Sequence, residues 1–236
     1  MSINQILRER KALDLLDSWP WNFGGVLIGG YAIAAYGRPR YSDDVDIVVP
    51  VATHDKLKAF IMNQGLSLEN SSIPNPQNYD GKVFRYIKEE LTLDVLVGYV
   101  RDREALVDLP ELWISKNCRV QHLITLTGKT SNRIPIACPE ALWALKLQSG
   151  RDHDITDLFS ISKTKIDVNE VVNVFISLKS KSLVDKLIKT SKKLRFDKLY
   201  EDSMSRTETK RTDKSKNDWN RFINQVQHIV SKVIET

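Results

Sequence analysis

The chain has 236 residues, is 42% hydrophobic and 28% charged, and carries 35 Lys and Arg against 30 Asp and Glu, a net charge of +5. The apolar fraction is ordinary for a protein with a hydrophobic core, and no window approaches the roughly 18–20 apolar residues of a membrane span. The first residues lack a secretory pattern and two cysteines, Cys118 and Cys138, make no disulfide framework, so we expect a cytoplasmic protein without a membrane partner.

The first quarter of the chain alternates between helical and extended patterns. The predicted elements are a helix over 3–17, a strand over 26–28, a helix over 31–36, a strand over 46–49 and a helix over 53–64. Gly29 and Gly30 stop the first strand, and Gly37 closes the second helix as a residue suited to a left-handed cap. Pro50 ends the second strand. This order predicts two neighbouring buried strands joined by a glycine turn and a short helix.

The middle of the chain is predicted to add a hairpin and further strands. Residues 71–80, rich in Pro, Asn and Ser, are predicted to be a loop. Two extended runs over 82–88 and 91–97, joined at Glu89 and Glu90, are predicted to be a hairpin. Further strands are predicted over 121–128 and 134–137.

After Pro139 the pattern becomes helical. Helices are predicted over 140–148, 155–161, 168–178, 183–194 and 218–234, with a mobile polar loop over 202–217. The expected fold is therefore α+β, a small mixed sheet flanked by helices over residues 1–137, followed by a C-terminal helical domain over residues 138–236.

The positive charge is concentrated at the end of the helical domain. Residues 179–236 contain 15 Lys and Arg but 8 Asp and Glu, whereas residues 1–178 are slightly acidic. Such a basic tail often contacts nucleic acid or another polyanion. A solvated helical surface explains the same excess, and the sequence leaves both interpretations open.

Three acidic residues fall within or beside apolar strands. Asp44 and Asp46 are two positions apart, so on a strand both carboxylates project to one face. Because two close carboxylates repel, a divalent cation such as Mg²⁺ would stabilise them together with substrate phosphates. Asp94 lies inside the later apolar run, where a charged residue is rare unless it is paired. If its strand lies beside that of Asp46, the acid could share a metal or accept a proton from an attacking hydroxyl.

A phosphate site is the matching prediction for the turn at Gly29 and Gly30. Glycines allow close backbone approach, and the following helix would present N–H groups to an anion. Each feature alone has a simpler explanation, since a glycine pair is usually a turn and an Asp-x-Asp pair is usually a surface feature. The combination of strand, glycine pair, helix, paired acids and a third acid in a later strand favours a functional site.

The run LIGGYAIAAYGRPRYSDDVDIVV (27–49) resembles the first motif of the nucleotidyltransferase superfamily, which has the DNA polymerase β-like fold. The sequence Arg-Tyr-Ser-Asp-Asp-Val-Asp (40–46) is especially similar to that of the AbiEii/AbiGii toxin-type branch. The helix over 139–147 and the segment over 151–158, with a Lys, an Arg and an Asp-x-x-Asp, are similar to a second motif of that branch. The superfamily often has Ser where this chain has Gly30, so one hydroxyl contact to phosphate is absent from that position.

The resemblance implies a role for each matching residue. Asp44, Asp46 and Asp94 would be the metal ligands and, with Lys146, the catalytic residues. Nucleotide binding would fall to the remaining positions that match the motifs, namely Gly29, Gly30, Arg40, Ser42, Arg151, Asp154 and Asp157. Lys146 would neutralise phosphate charge, while Asp154 and Asp157 would orient it or the base.

The resemblance also implies an activity. We expect an enzyme that uses Mg²⁺, or Mn²⁺ in its place, to move a nucleoside monophosphate from ATP or another NTP to an acceptor hydroxyl. The 3′ end of tRNA is the expected acceptor, and the protein would be the toxin of a toxin–antitoxin pair with a cognate antitoxin as partner. Two alternatives stay open, namely transfer to a small molecule or protein and a non-catalytic nucleotide-binding regulatory module.

Overall fold

The computed structural model describes residues 2–37, 39–69, 83–102, 104–206 and 212–236. The chain divides into two compact units. One comprises Met1–Arg103 and Asp108–Cys138, and the other comprises Glu104–Val107 and Pro139–Thr236. No helix within the described ranges combines the length and the apolar character needed to cross a bilayer.

The first unit is built on a mixed sheet. Its strands are β1 (Val26–Ile28), β2 (Asp44–Val49), β3 (Ser67–Leu68), β4 (Val83–Lys88), β5 (Leu91–Val97), β6 (Tyr99–Arg101), β7 (Asp108–Pro110), β8 (Cys118–Gln121) and β9 (Ile134–Ala137). In the described residues, seven of them form one sheet in the order β3-β4-β5-β2-β1-β9-β8, and β6 pairs with β7 separately. The pairings β2–β5 and β1–β9 are parallel and the others are antiparallel.

Helices accompany this sheet. They are α1 (Ile3–Ser18), α2 (Gly29–Ala34), α3 (His54–Asn63) and α4 (Glu111–Lys116). The Ser2 hydroxyl accepts from the Gln5 amide while the Gln5 side chain accepts from the Ser2 amide, so a capping box starts α1. Ala12 and Leu16 of that helix are fully buried, as are Ile47 and Leu93 of the central strands. Burial of these apolar side chains stabilises the unit.

The second unit is helical. Its elements are α5 (Pro139–Ser149), α6 (Asp152–Ile161), α7 (Val168–Ser177), α8 (Lys181–Lys193), α9 (Asp197–Arg206) and α10 (Asp213–Glu235). Aromatic side chains join three of these helices, because Phe222 of α10 lies against Trp143 of α5 and Phe159 of α6 with ring centroids 5.7 Å apart in both pairs. Trp219 packs on Phe159 at 5.1 Å and is only 5% exposed. Its ring is therefore a core group and not a free stacking surface.

The α+β prediction is confirmed, with a mixed sheet followed by helices. The structure differs at several predicted segments. The edge strand is β8, which ends at Gln121 and pairs with β9, so the strand predicted over 121–128 is wrong beyond its first residue. The predicted loop over 202–217 is wrong at both ends, because α9 runs to Arg206 and α10 begins at Asp213, with Thr212 capping it. The loop predicted over 71–80 lies outside the described residues.

Candidate active site

Three carboxylates meet on the central strands of the sheet. Asp44 and Asp46 alternate on β2 with the buried Val45 and Ile47, so both face away from that core. The parallel register of β2 and β5 places Asp46 directly beside Asp94. One carboxylate oxygen from each acid lies within 4.8 Å of one oxygen of the other two. The structure therefore brings together the three acids that the sequence predicted as metal ligands.

The electrostatics of the cluster suit a hard cation. Asp94 is 4% exposed and the other two acids are half-buried. Burial, followed by the charge of Asp94, raises the pKa of Asp44 above its ordinary value, and Arg85 opposes the shift. Three oxygen donors that repel one another at this separation fit Mg²⁺ or Mn²⁺, whose preferred ligands are carboxylate oxygens. The three carboxylates therefore suit a divalent metal ion in both chemistry and spacing.

Arg85 is a member of this cluster that the sequence interpretation missed. It lies opposite Asp94 in the β4–β5 hairpin, and its Nε and Nη2 donate to Asp94 Oδ1 and Oδ2 at 2.8 and 2.7 Å. The bidentate pair fixes the orientation of a carboxylate that is otherwise buried without a cation. A signal was present in the sequence, because a hairpin turning at Glu89 and Glu90 pairs position 85 with position 94.

Gly29 and Gly30 each leave space for a side chain of the site. Gly29 has a φ of +69°, and a Cβ there would lie 1.9 Å from Asp46 Oδ2 and 3.0 Å from Asp46 Cβ. A Cβ on Gly30 would lie 2.2 Å from Ser42 Oγ and 3.1 Å from Arg40 Nη2. The glycine pair thus admits the Asp46 carboxylate and the buried Ser42 hydroxyl next to the turn. Five predicted residues, Gly29, Gly30, Arg40, Ser42 and Asp46, are neighbours here.

The helix after this turn is shorter than expected for a phosphate site. It begins at Gly29, two residues before the predicted start, and ends at Ala34. Six residues give a weak helix dipole. Any phosphate contact at this turn therefore depends on backbone N–H groups and on Ser42 more than on a macrodipole.

The two glycines are expected to differ in their tolerance of a methyl group. Gly29→Ala places a Cβ in left-handed backbone, which costs about 1–2 kcal/mol, and displaces Asp46, so Mn²⁺ affinity should fall together with the free energy of unfolding. Gly30→Ala crowds Ser42, whose Oγ and Cβ would lie 2.2 and 3.0 Å from the new Cβ, but it adds no left-handed backbone strain and leaves Asp46 in place. Urea denaturation and calorimetric Mn²⁺ titration of both variants check this difference. Equal losses of Mn²⁺ affinity and of unfolding free energy in the two variants would contradict the close contact of Gly29 with Asp46.

The other predicted site residues form a second cluster, in the helical unit. Lys146 Nζ lies 2.7 Å from Asp154 Oδ1 and 2.9 Å from Asp157 Oδ2. Arg151 Nε donates to Asp154 Oδ2 at 2.8 Å, and Ser149 Oγ donates to the same oxygen at 2.5 Å. The cluster forms because α5 ends at Ser149 and α6 starts at Asp152, so the chain reverses within two residues.

This cluster is a buried ionic network. Asp154 is fully buried and the Lys146 side chain is 12% exposed. Burial alone would raise the pKa of Asp154, but the charges of Lys146 and Arg151 outweigh it and hold that pKa well below its ordinary value. The acids therefore hold the Lys146 ammonium in one position, and their role toward a nucleotide stays a prediction.

Comparison with known proteins gives weak similarity only. No family model matches the chain, and no curated protein matches it. The solved structure of the lincosamide antibiotic adenylyltransferase LnuA with bound lincomycin is 16% identical, with 67% of this chain and 97% of that chain covered and a TM-score of 0.42. ANT(2″)-Ia in complex with adenylyl-2″-tobramycin is 17% identical over 80% of this chain and 98% of that one, with a TM-score of 0.38.

A protein from H. pylori with a provisional assignment as a nucleotidyltransferase is 16% identical, with 100% of this chain and 98% of that chain covered and a TM-score of 0.39. At such identities and scores these likenesses assign neither an activity nor a substrate to the chain.

Proposed function

We propose that this protein is a metal-dependent nucleotidyltransferase. The observation that carries the proposal is the convergence of Asp44, Asp46 and Asp94 within 4.8 Å beside the Gly29–Gly30 turn. Three carboxylates converge in this half-buried site, and Arg85 pairs with Asp94 alone, so a divalent cation would compensate the negative charge of the cluster. The motif that carries Asp44 and Asp46 also resembles that of the nucleotidyltransferase superfamily.

Each residue of the site has a proposed task. Asp44, Asp46 and Asp94 would hold Mg²⁺ or Mn²⁺, with Arg85 fixing the third carboxylate. A bound divalent cation would neutralise charge on the triphosphate and on the departing pyrophosphate. Ser42 and the backbone at Gly29 and Gly30 would contact the phosphates of the NTP.

The reaction is an in-line substitution at the α-phosphorus of the NTP. The acceptor hydroxyl oxygen forms a bond to phosphorus as the bond to the bridging oxygen breaks and pyrophosphate leaves. A carboxylate of the cluster takes the hydroxyl proton. Arg85 donates to both oxygens of Asp94, so each of those oxygens keeps one lone pair for a metal ion or a proton.

RNA is the acceptor we propose, with the 3′ end of tRNA as the specific target. The basic excess in residues 179–236 supports an RNA acceptor, because cationic side chains bind the phosphate backbone by releasing counterions. The similarity of the first motif to toxin-type nucleotidyltransferases supports a growth-arresting activity restrained by an antitoxin.

A labelling experiment tests the activity and the acceptor together. The full chain is incubated with each α-³²P-labelled NTP, Mg²⁺ and total RNA, and the products are separated by denaturing electrophoresis. We expect label on RNA of tRNA size and none with the Asp44→Asn/Asp46→Asn variant. Label on a small hydroxyl compound or on the protein itself would overturn the RNA acceptor. Absence of both NTP binding and label transfer would overturn the enzyme assignment.

A further inference from the structure

A basic groove lies entirely within the helical unit. It contains no residue of the carboxylate cluster or of the Lys146 network. Its volume is about 660 Å³, and it is lined by residues 162–166, which connect α6 to α7, and by the first half of α10. This volume is within the range of ligand-binding clefts in proteins. Four basic side chains and one acidic side chain line it, namely Lys163, Lys165, Lys214, Arg221 and Asp218.

The charges in the groove are only partly compensated. Lys163 Nζ lies 2.9 Å from Asp218 Oδ2, and Arg221 Nη1 lies 4.0 Å from Asp218 Oδ1. One carboxylate therefore serves two cations, while Lys165 and Lys214 add two more positive charges to the same concave surface. The side chains of Lys163 and Arg221 are 66% and 80% exposed, so their charged groups can reach a ligand in solution.

The groove also has a firm base. Phe222 lines it and is 1% exposed, since it packs against Trp143, Phe159 and Trp219. The cations of α10 thus project from a helix that Phe222 and Trp219 anchor in the aromatic core of the unit. An excess of positive charge on a concave surface attracts a ligand with several negative charges.

We infer that this groove binds the phosphate backbone of single-stranded RNA. The choice of RNA rests on the proposed function, in which a polynucleotide is the acceptor. Phosphodiester groups match the chemistry of the groove because each carries one negative charge and consecutive groups can meet separate cations. A free phosphorylated small molecule shares this chemistry, and the experiment separates the two.

The test measures binding of a fluorescent 12-nucleotide RNA to the full chain by anisotropy, across a series of salt concentrations and without NTP or divalent cation. The groove variant is Lys165→Gln/Lys214→Gln, which leaves the pair between Lys163 and Asp218 intact. The matched control is Lys198→Gln/Lys216→Gln, which removes the same charge from exposed positions of α9 and α10 outside the groove.

We expect the groove variant to lower the slope of log K against log salt by about 1.4, since each phosphate contact on a single strand contributes about 0.7. The same contacts correspond to an affinity loss of about 25-fold at 0.1 M salt relative to 1 M. The control should bind RNA nearly as tightly as the native chain. Circular dichroism of both variants verifies that the helices are retained.

Three results would overturn the inference. An equal loss in the control would mean that the charge acts diffusely, and an unchanged slope in the groove variant would mean that RNA binds elsewhere. Inorganic triphosphate that displaces RNA at equal concentration of phosphate groups would assign the groove to a small phosphorylated ligand. Because no catalysis is measured, an inactive enzyme with an intact groove still binds RNA, and the failure of one proposal is distinguishable from failure of the other.

Discussion

Replacing Asp46 with Asn should reduce nucleotidyl transfer on the order of 10³-fold while leaving the fold intact. The expected loss corresponds to about 4 kcal/mol, because a metal ion in such a site contributes several kcal/mol to transition-state stabilisation and each 1.36 kcal/mol is tenfold in rate. Single-turnover transfer from labelled NTP measures the rate, and calorimetric titration with Mn²⁺ measures the metal affinity, which should fall with it.

The stability of this variant separates a functional role from a structural one. Asp46 lies beside Asp94 and within 4.8 Å of Asp44, so a neutral amide relieves repulsion. The free energy of unfolding should stay equal or rise. Asp43→Asn is the matched control, because Asp43 precedes the cluster, is 82% exposed and pairs with Arg8. A less stable Asp46→Asn variant that kept its Mn²⁺ affinity would show that the acid stabilises the fold and does not bind the metal.

The second large effect is expected at Lys146. Lys146→Met leaves Asp154 and Asp157 without their shared cation, while Arg151 still contacts Asp154. Removal of one member of a buried ion pair costs about 3–5 kcal/mol, and the remaining Arg151 places the expected loss near the lower value. Hydrogen exchange in α5 and α6 localises the loss to the helical unit, and Lys216→Met, an exposed lysine of α10, is the control.

The loss at Lys146 should depend on pH in a definite direction. Lys146 and Arg151 hold the pKa of Asp154 below the ordinary value of 3.8. The stability from this pairing is therefore complete above about pH 4 and decreases as the pH falls through the lowered pKa. In the variant, burial favours the protonated acid, so the stability difference from the native chain should shrink on acidification. A stability difference that stayed constant from pH 7 to pH 3 would contradict the pairing of Lys146 with Asp154.

Strong local patterns predicted most of the fold. The strand over 26–28 and the paired runs meeting at Glu89 and Glu90 were predicted because short apolar or β-branched runs ended at turn residues. The helix α9 and the start of α10 were missed since their surface sequence resembles a polar loop. Tertiary packing overrides such local composition, because one buried face, including Trp219 and Phe222, stabilises an otherwise polar helix.

The sequence by itself determined that Asp44 and Asp46 share one face, since a strand repeats every two residues. It also determined that Arg85 and Asp94 are opposite in a hairpin turning at Glu89 and Glu90, although Arg85 was not among the predicted site residues. Both results follow from local geometry, in which neighbours along the chain fix one another's direction.

Only the tertiary structure decided that Asp94 lies beside Asp46. That contact requires parallel pairing of β2 and β5, strands separated by more than 40 residues, and no local pattern specifies such a partner. The convergence of basic side chains in the groove was settled in the same way, by packing of helices. Periodicity sets the direction of a side chain relative to its own element, whereas the charge that it meets depends on which other element packs against that face.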